Sequence, residues 1–167
     1  MTKQKLSATH RSIEGNVFWL NSKSLITRIA AGKLTGFLIG VIGFFSMPYL
    51  WPDTSDAFRW AILFWYITLG AFIAMFGILT WHPILKFSMP WWFRGLFFGA
   101  WMNFLLVLFI YDRLAAMMLQ WPGADSAFTS PYWMVLEGAI VGLSIDFAAT
   151  KLVGEGSELL IPEKPTL

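Results

Sequence analysis

Apolar and polar positions fall along this chain in long blocks rather than in short alternation. Four apolar runs stand out, over residues 34–50, 60–81, 91–111 and 132–150, holding 17, 22, 21 and 19 residues. About 20 residues at a rise of 1.5 Å cross a hydrocarbon core of roughly 30 Å. Lipid offers the backbone no hydrogen-bond partner, so such runs must be helices. The ten-residue alternating segments of a barrel are absent from the sequence. The pattern therefore predicts an all-α membrane protein, a four-helix transmembrane bundle. The first run is short, but it extends backwards through Leu25-Ile26 and Ile29-Ala30-Ala31, where Arg28 and Lys33 are expected to snorkel to the headgroups.

The breaks between runs carry loop chemistry. Trp51-Pro52-Asp53-Thr54-Ser55-Asp56 separates the first pair, with Asp53 or Ser55 as candidate caps of the second helix. His82-Pro83 ends the second run, Ser88-Met89-Pro90 precedes the third, and Ser130-Pro131 opens the fourth. These boundaries divide the chain into an N-terminal segment over 1–30, a transmembrane domain over 31–152 and a tail over 153–167 expected to be flexible. Within the first segment, Val17-Phe18-Trp19-Leu20 beside Lys23 and Arg28 fits an interfacial helix on anionic headgroups, or simply a polar lead into the first span.

Composition sharpens the class. The chain of 167 residues is 57% hydrophobic and 13% charged, against roughly 25% charged in soluble domains. So little polar surface would not keep a small globule in solution. No cysteine is present, which removes disulfides, thiol nucleophiles and Cys-based metal sites. His10 and His82 are the two histidines, too few and too far apart for a histidine metal centre, so no metal and no cofactor is expected. A formal charge of +2 is too small to argue for nucleic acid.

The placing of charge decides orientation. With the N-terminus inside, the inner segments hold ten basic residues (Lys3, Lys5, Arg11, Lys23, Arg28, Lys33, Lys86, Arg94, Lys151 and Lys164), and the outer ones hold Arg59 and Arg113. That bias predicts both termini on the cytoplasmic side, N-in/C-in, in a bacterial inner membrane. Tyr49, Trp51, Trp60, Tyr111, Trp121, Tyr132 and Trp133 mark one interface, and Trp81, Trp91 and Trp92 the other.

An internal echo runs at an offset of 70: Trp51 matches Trp121, Pro52 matches Pro122, Ala57 matches Ala127 and Phe58 matches Phe128. Each segment leads into a helix carrying Gly-Ala, at 70–71 and 138–139. Two explanations compete, a duplicated two-helix hairpin and the recurrence of Trp-Pro turns at membrane interfaces.

Every run also carries small residues four apart, in the manner of a glycine zipper. They are Gly32, Gly36 and Gly40; Gly70 and Ala74; Gly95 and Gly99; and Gly138 and Gly142. Residues four apart share a helix face, and small ones let backbones approach closely where lipid gives no hydrophobic drive to association. This implies tight packing within the bundle, between subunits, or both. Asn103 and Asp146 each stand four residues beyond such a pair and are expected on packed faces.

Ionisable groups inside a membrane helix are functional candidates because placing them there is costly. Glu137 lies towards the outer side and Asp146 towards the cytoplasm. Nine residues apart, they project about 180° from one another and do not form one acid–base pair. Asp146 is expected level with Lys33, Arg94 and Lys151, and Glu137 level with Arg59, Asp112 and Arg113. Structural ion pairs closing the two ends of the bundle compete with proton or cation handling as explanations. No phosphate loop, His-Glu-x-x-His or nucleophile elbow occurs, so no catalytic residue is assigned and the chain is not expected to be an enzyme. The sequence thus points to a non-enzymatic membrane module, self-associating (a homo-oligomer) or accessory to a larger membrane-protein partner, with membrane lipids around it. The alternative is a small oligomeric transporter or channel using Glu137 or Asp146.

Overall fold

The structure, a computed structural model, describes residues 24–82, 84, 86–120 and 129–160. The expected interfacial segment around residues 17–20 and the second half of the internal echo, Trp121, Pro122, Ala127 and Phe128, lie outside the described residues.

The chain is mostly helical. Helix α1 spans Leu25–Leu50. It begins nine residues before position 34 because Ser24, in extended conformation, caps it by accepting from the Thr27 amide at 3.2 Å. Helix α2 spans Asp56–Met75, capped by Ser55, and tightens into a 3-10 turn over Phe76–Ile78. The expectation that it runs to Trp81 is corrected. The Ala74 carbonyl accepts from Arg28 Nε at 3.0 Å instead of serving a further α-turn. Trp81–His82 (β1) then pairs antiparallel with Phe87–Ser88 (β2) in a short hairpin. Helix α3 spans Trp91–Phe109, and α5 spans Trp133–Leu152.

Between them the structure adds an element missing from the sequence reading. The third run breaks at Ile110, which leaves the helical region, and Tyr111–Leu119 forms a separate helix α4. Its pattern explains the break: Leu114, Met117 and Met118 make one buried face, whereas Asp112 and Arg113 are exposed. A straight continuation of α3 would not bring that face onto the bundle. The buried Trp51 indole donates to the Met117 carbonyl at 2.7 Å and ties α4 to the end of α1.

Four helical segments are long and apolar enough to cross a membrane: Leu25–Leu50, Asp56–Ile78, Trp91–Phe109 and Trp133–Leu152. They are compatible with an integral membrane protein. They pack as two intimate antiparallel pairs, α1 with α2 and α3 with α5, joined by lighter contacts between the pairs. Small residues set both pairings. A Cβ on Gly36 would strike the Tyr66 carbonyl, and one on Gly32 the Gly70 carbonyl. A Cβ on Gly99 would likewise strike the Gly138 carbonyl, and one on Gly142 the Gly95 carbonyl. The small-residue faces are thus consumed inside the chain. Where the pairs meet, Leu69, Ile73 and Ile145 form the buried core, with Ile39, Phe98, Met102 and Val141 around them. Outward faces carry large exposed apolar side chains, among them Ile42, Phe45, Phe64, Leu108 and Ile140.

After α5 the chain turns through Gly154 and Gly156, both at positive φ (105° and 90°). Gly156 N–H donates to the Gly77 carbonyl at 2.9 Å, and Val153 and Leu159 are buried. Residues 153–160 of the expected tail therefore lie against one end of the bundle.

Candidate functional site

Polar side chains gather at two levels inside the bundle. The first lies where α1 and α3 begin and α2 and α5 end. Asp146 sits there between two arginines. Arg94 Nε donates to Asp146 Oδ2 at 2.9 Å, and Arg28 Nη2 pairs with Asp146 Oδ1. Arg28, Arg94 and Asp146 are all 0% exposed. Glu155 from the returning tail takes the other arm of Arg94 at 2.7 Å, so two cations face two carboxylates. The remaining donors are satisfied as well. Arg28 reaches Thr150 Oγ1 at 3.1 Å and the carbonyls of Ala74 and Gly154. Arg94 Nη1 reaches the Leu79 and Met89 carbonyls at 3.3 Å. No buried side-chain nitrogen or oxygen lacks a partner among the described residues. Burial of charge is tolerated only on such terms.

This cluster revises the sequence reading. Arg94 meets Asp146 as expected, but Lys33 and Lys151 are not in the cluster. Arg28, expected to snorkel outwards, turns inwards. The space it fills is opened by Gly77, where a Cβ would collide with its guanidinium. A signal for this existed, because Arg28 stands four residues before Gly32 and so shares the face of Gly32, Gly36 and Gly40. Glu155 carried no such signal, since its approach depends on the Gly154 turn.

The second level lies further along, where Glu137 and Asn103 meet Trp65 and Tyr66 of α2. Its protonation logic follows from one donor. An indole N–H only donates, so Trp65 Nε1, 3.0 Å from Asn103 Oδ1, fixes the Asn103 amide. Asn103 Nδ2 then donates to the Met134 carbonyl and to Glu137 Oε2, each at 2.8 Å. Tyr66 O–H donates to Glu137 Oε1 at 2.5 Å. Two donors on two oxygens suit an ionised carboxylate, which only accepts. Gly138 makes the crossing possible, because any Cβ there would overlap the Asn103 side chain.

Glu137 therefore has partners other than the Arg59, Asp112 and Arg113 expected from depth. Arg59 bonds Asp56 at 2.8 Å and the Phe44 carbonyl at 3.2 Å, with its guanidinium over the Phe44 ring. Arg113 lies over the Phe58 ring and Asp112 is exposed. The expected opposition of Glu137 and Asp146 is also modified. Both carboxylates reach α3, but through separate networks nine residues apart, about 13 Å along the helix. Tyr66 was legible in the same way as Arg28, four residues before Gly70 on the α2 stripe.

Glu137 also lines a cavity of about 650 Å³. Its walls are the end of α1 with Trp51, Met118 of α4, and α5 from Trp133 to Val141. Among the described residues, Glu137 is the one ionisable residue in that lining, and no arginine or lysine pairs with it. No group of acidic residues or histidines able to hold a metal ion occurs among the described residues. No family model, curated protein or solved structure matches the chain.

Proposed function

We propose that this chain is a non-enzymatic integral membrane module of a bacterial inner membrane, with four spans and both termini cytoplasmic, acting as an accessory subunit of a larger membrane complex. The observation that carries this reading is the division of its surfaces. The interior charges at Arg28, Arg94, Asp146 and Glu155 close on one another, while the outward helix faces present large apolar side chains to their surroundings. Interior charge so completely paired holds helices in register and leaves little for bond-making chemistry. The small-residue faces are used within the chain, so association with a partner falls to the outward apolar faces. Mild-detergent extraction followed by native mass spectrometry tests this. A stoichiometric heteromeric species is expected, and a strictly monomeric species with no partner would overturn it.

A second reading, a small transporter or channel, draws on Glu137, which borders a cavity and lacks a cationic partner among the described residues. Reconstituted vesicles carrying Glu137→Gln should then lose flux of protons or cations. Flux unchanged by that substitution would count decisively against it.

A further inference from the structure

We propose that the cavity between the end of α1, α4 and the outer half of α5 binds an amphiphilic organic cation, its charge against Glu137 and its apolar body against Leu50, Trp51, Met118, Trp133 and Ile140. The inference rests on the membrane reading above and adds a ligand class to the Glu137 site.

Three observations converge. The cavity, about 650 Å³, falls within the roughly 300–1,000 Å³ of sites for small organic molecules. Among the described residues, its lining is apolar apart from Glu137. And Glu137 is held as an acceptor by Tyr66 and Asn103 while lacking a counter-ion among the described residues. A carboxylate in apolar surroundings is costly unless paired. The contrast with Asp146, which this same fold neutralises with two arginines, is the core of the argument. Each Glu137 oxygen accepts one protein hydrogen bond and retains further acceptor capacity, since an ionised carboxylate has about four lone-pair sites. A neutral acyl chain would fit the walls and leave the charge unanswered; an anionic amphiphile would be repelled. The site is also remote from the Asp146 cluster, so occupancy need not disturb the ion pairs that fix the fold.

The test uses the full chain in lipid nanodiscs and radiolabelled tetraphenylphosphonium in equilibrium dialysis against empty nanodiscs, which removes partition into lipid. Saturable binding near one equivalent is expected, displaced by a protonated long-chain alkylamine and not by the alcohol of the same chain length. Glu137→Gln, which keeps size, still accepts from Asn103 and donates to the Tyr66 hydroxyl in place of accepting from it, should weaken binding by about thirtyfold or more, as loss of a buried charge partner does. Ile140→Trp keeps the charge but fills the cavity from a partly exposed position, and should weaken binding as well. Circular dichroism and thermal melting of both variants establish that they fold. Uptake equal to empty nanodiscs, or binding unchanged in either folded variant, would overturn the proposal. Equal displacement by the alcohol would do so too, because it would mark a site for neutral lipid. A chain that incorporates into nanodiscs but binds nothing loses this site alone, whereas a chain that fails to incorporate contradicts the membrane reading.

Discussion

Asp146 is the residue on which the most partners depend. Removing its charge leaves Arg28 and Arg94 facing each other at full burial. Breaking a buried pair from one side typically costs about 3–5 kcal/mol. Asp146→Leu is therefore expected to lower stability by that order in detergent unfolding titrations followed by circular dichroism, far more than exposed Asp112→Leu. Asn103→Leu tests the other level. It removes one interhelical donor set in an apolar setting, where such bonds average below about 1 kcal/mol, and it also strands the Trp65 N–H. A loss of about 1–3 kcal/mol in the same titration is expected, the range for an unsatisfied buried donor. Asn103 and Asp146 were both legible as packed-face residues from their spacing beyond glycines. Their partners were legible only in part: Arg94 from depth, and Arg28 from a stripe whose first member is not small.

At the scale of elements, the two helix pairs are set by backbone contact, and the prediction belongs to the positions that allow it. Gly36→Val places methyls onto the Tyr66 carbonyl, where no side chain can move aside. Overpacking costs about 1–3 kcal/mol and sometimes more, so α1 and α2 should separate measurably in cysteine-crosslinking between introduced pairs on those helices. Gly43→Ala is the control. Its nearest neighbour is a methyl of Ile62 at 3.1 Å, and the gain in helix propensity of about 1 kcal/mol offsets the adjustment. Crosslinking should be unchanged. The tail turn supplies another case. Gly154 has φ 105° with open space around its missing Cβ, so Gly154→Ala meets backbone strain rather than a clash. Such strain costs on the order of 1–3 kcal/mol, and its expected readout is faster amide exchange in residues 153–160. The start of α4 after Ile110 was not legible because no glycine or proline marks the break; the burial of Leu114, Met117 and Met118 against the bundle separates the two helices.

For the whole molecule, orientation is the testable property. Ten basic residues on one side and two on the other predict that reporter fusions at both termini are active on the cytoplasmic side, and fusions in the loop after α1 on the opposite side. The reverse activity pattern would refute N-in/C-in. The charge cluster bears on the same end. Arg28 and Arg94 contribute to the basic count, yet both are buried against Asp146, so the headgroup-facing bias rests on the remaining residues. Replacing Lys33, Lys86 and Lys151 together with glutamine should weaken orientation more than any change in the cluster, with mixed reporter activity as the measure.

What the sequence by itself determined is the set of four long apolar helices, their approximate ends and the faces that pack. These follow from hydropathy, helix period and residue size, all of which are local. Tertiary structure alone decided the docking of Glu155, the split of α3 from α4, and the contrast between a carboxylate matched by two arginines and one left beside an apolar cavity. Each depends on which surfaces meet across more than 30 positions of chain, or on where a glycine leaves room. That information resides in the approach of helices rather than in any segment. The interior charges illustrate the point. Their presence was visible in the sequence, and their pairing required the fold.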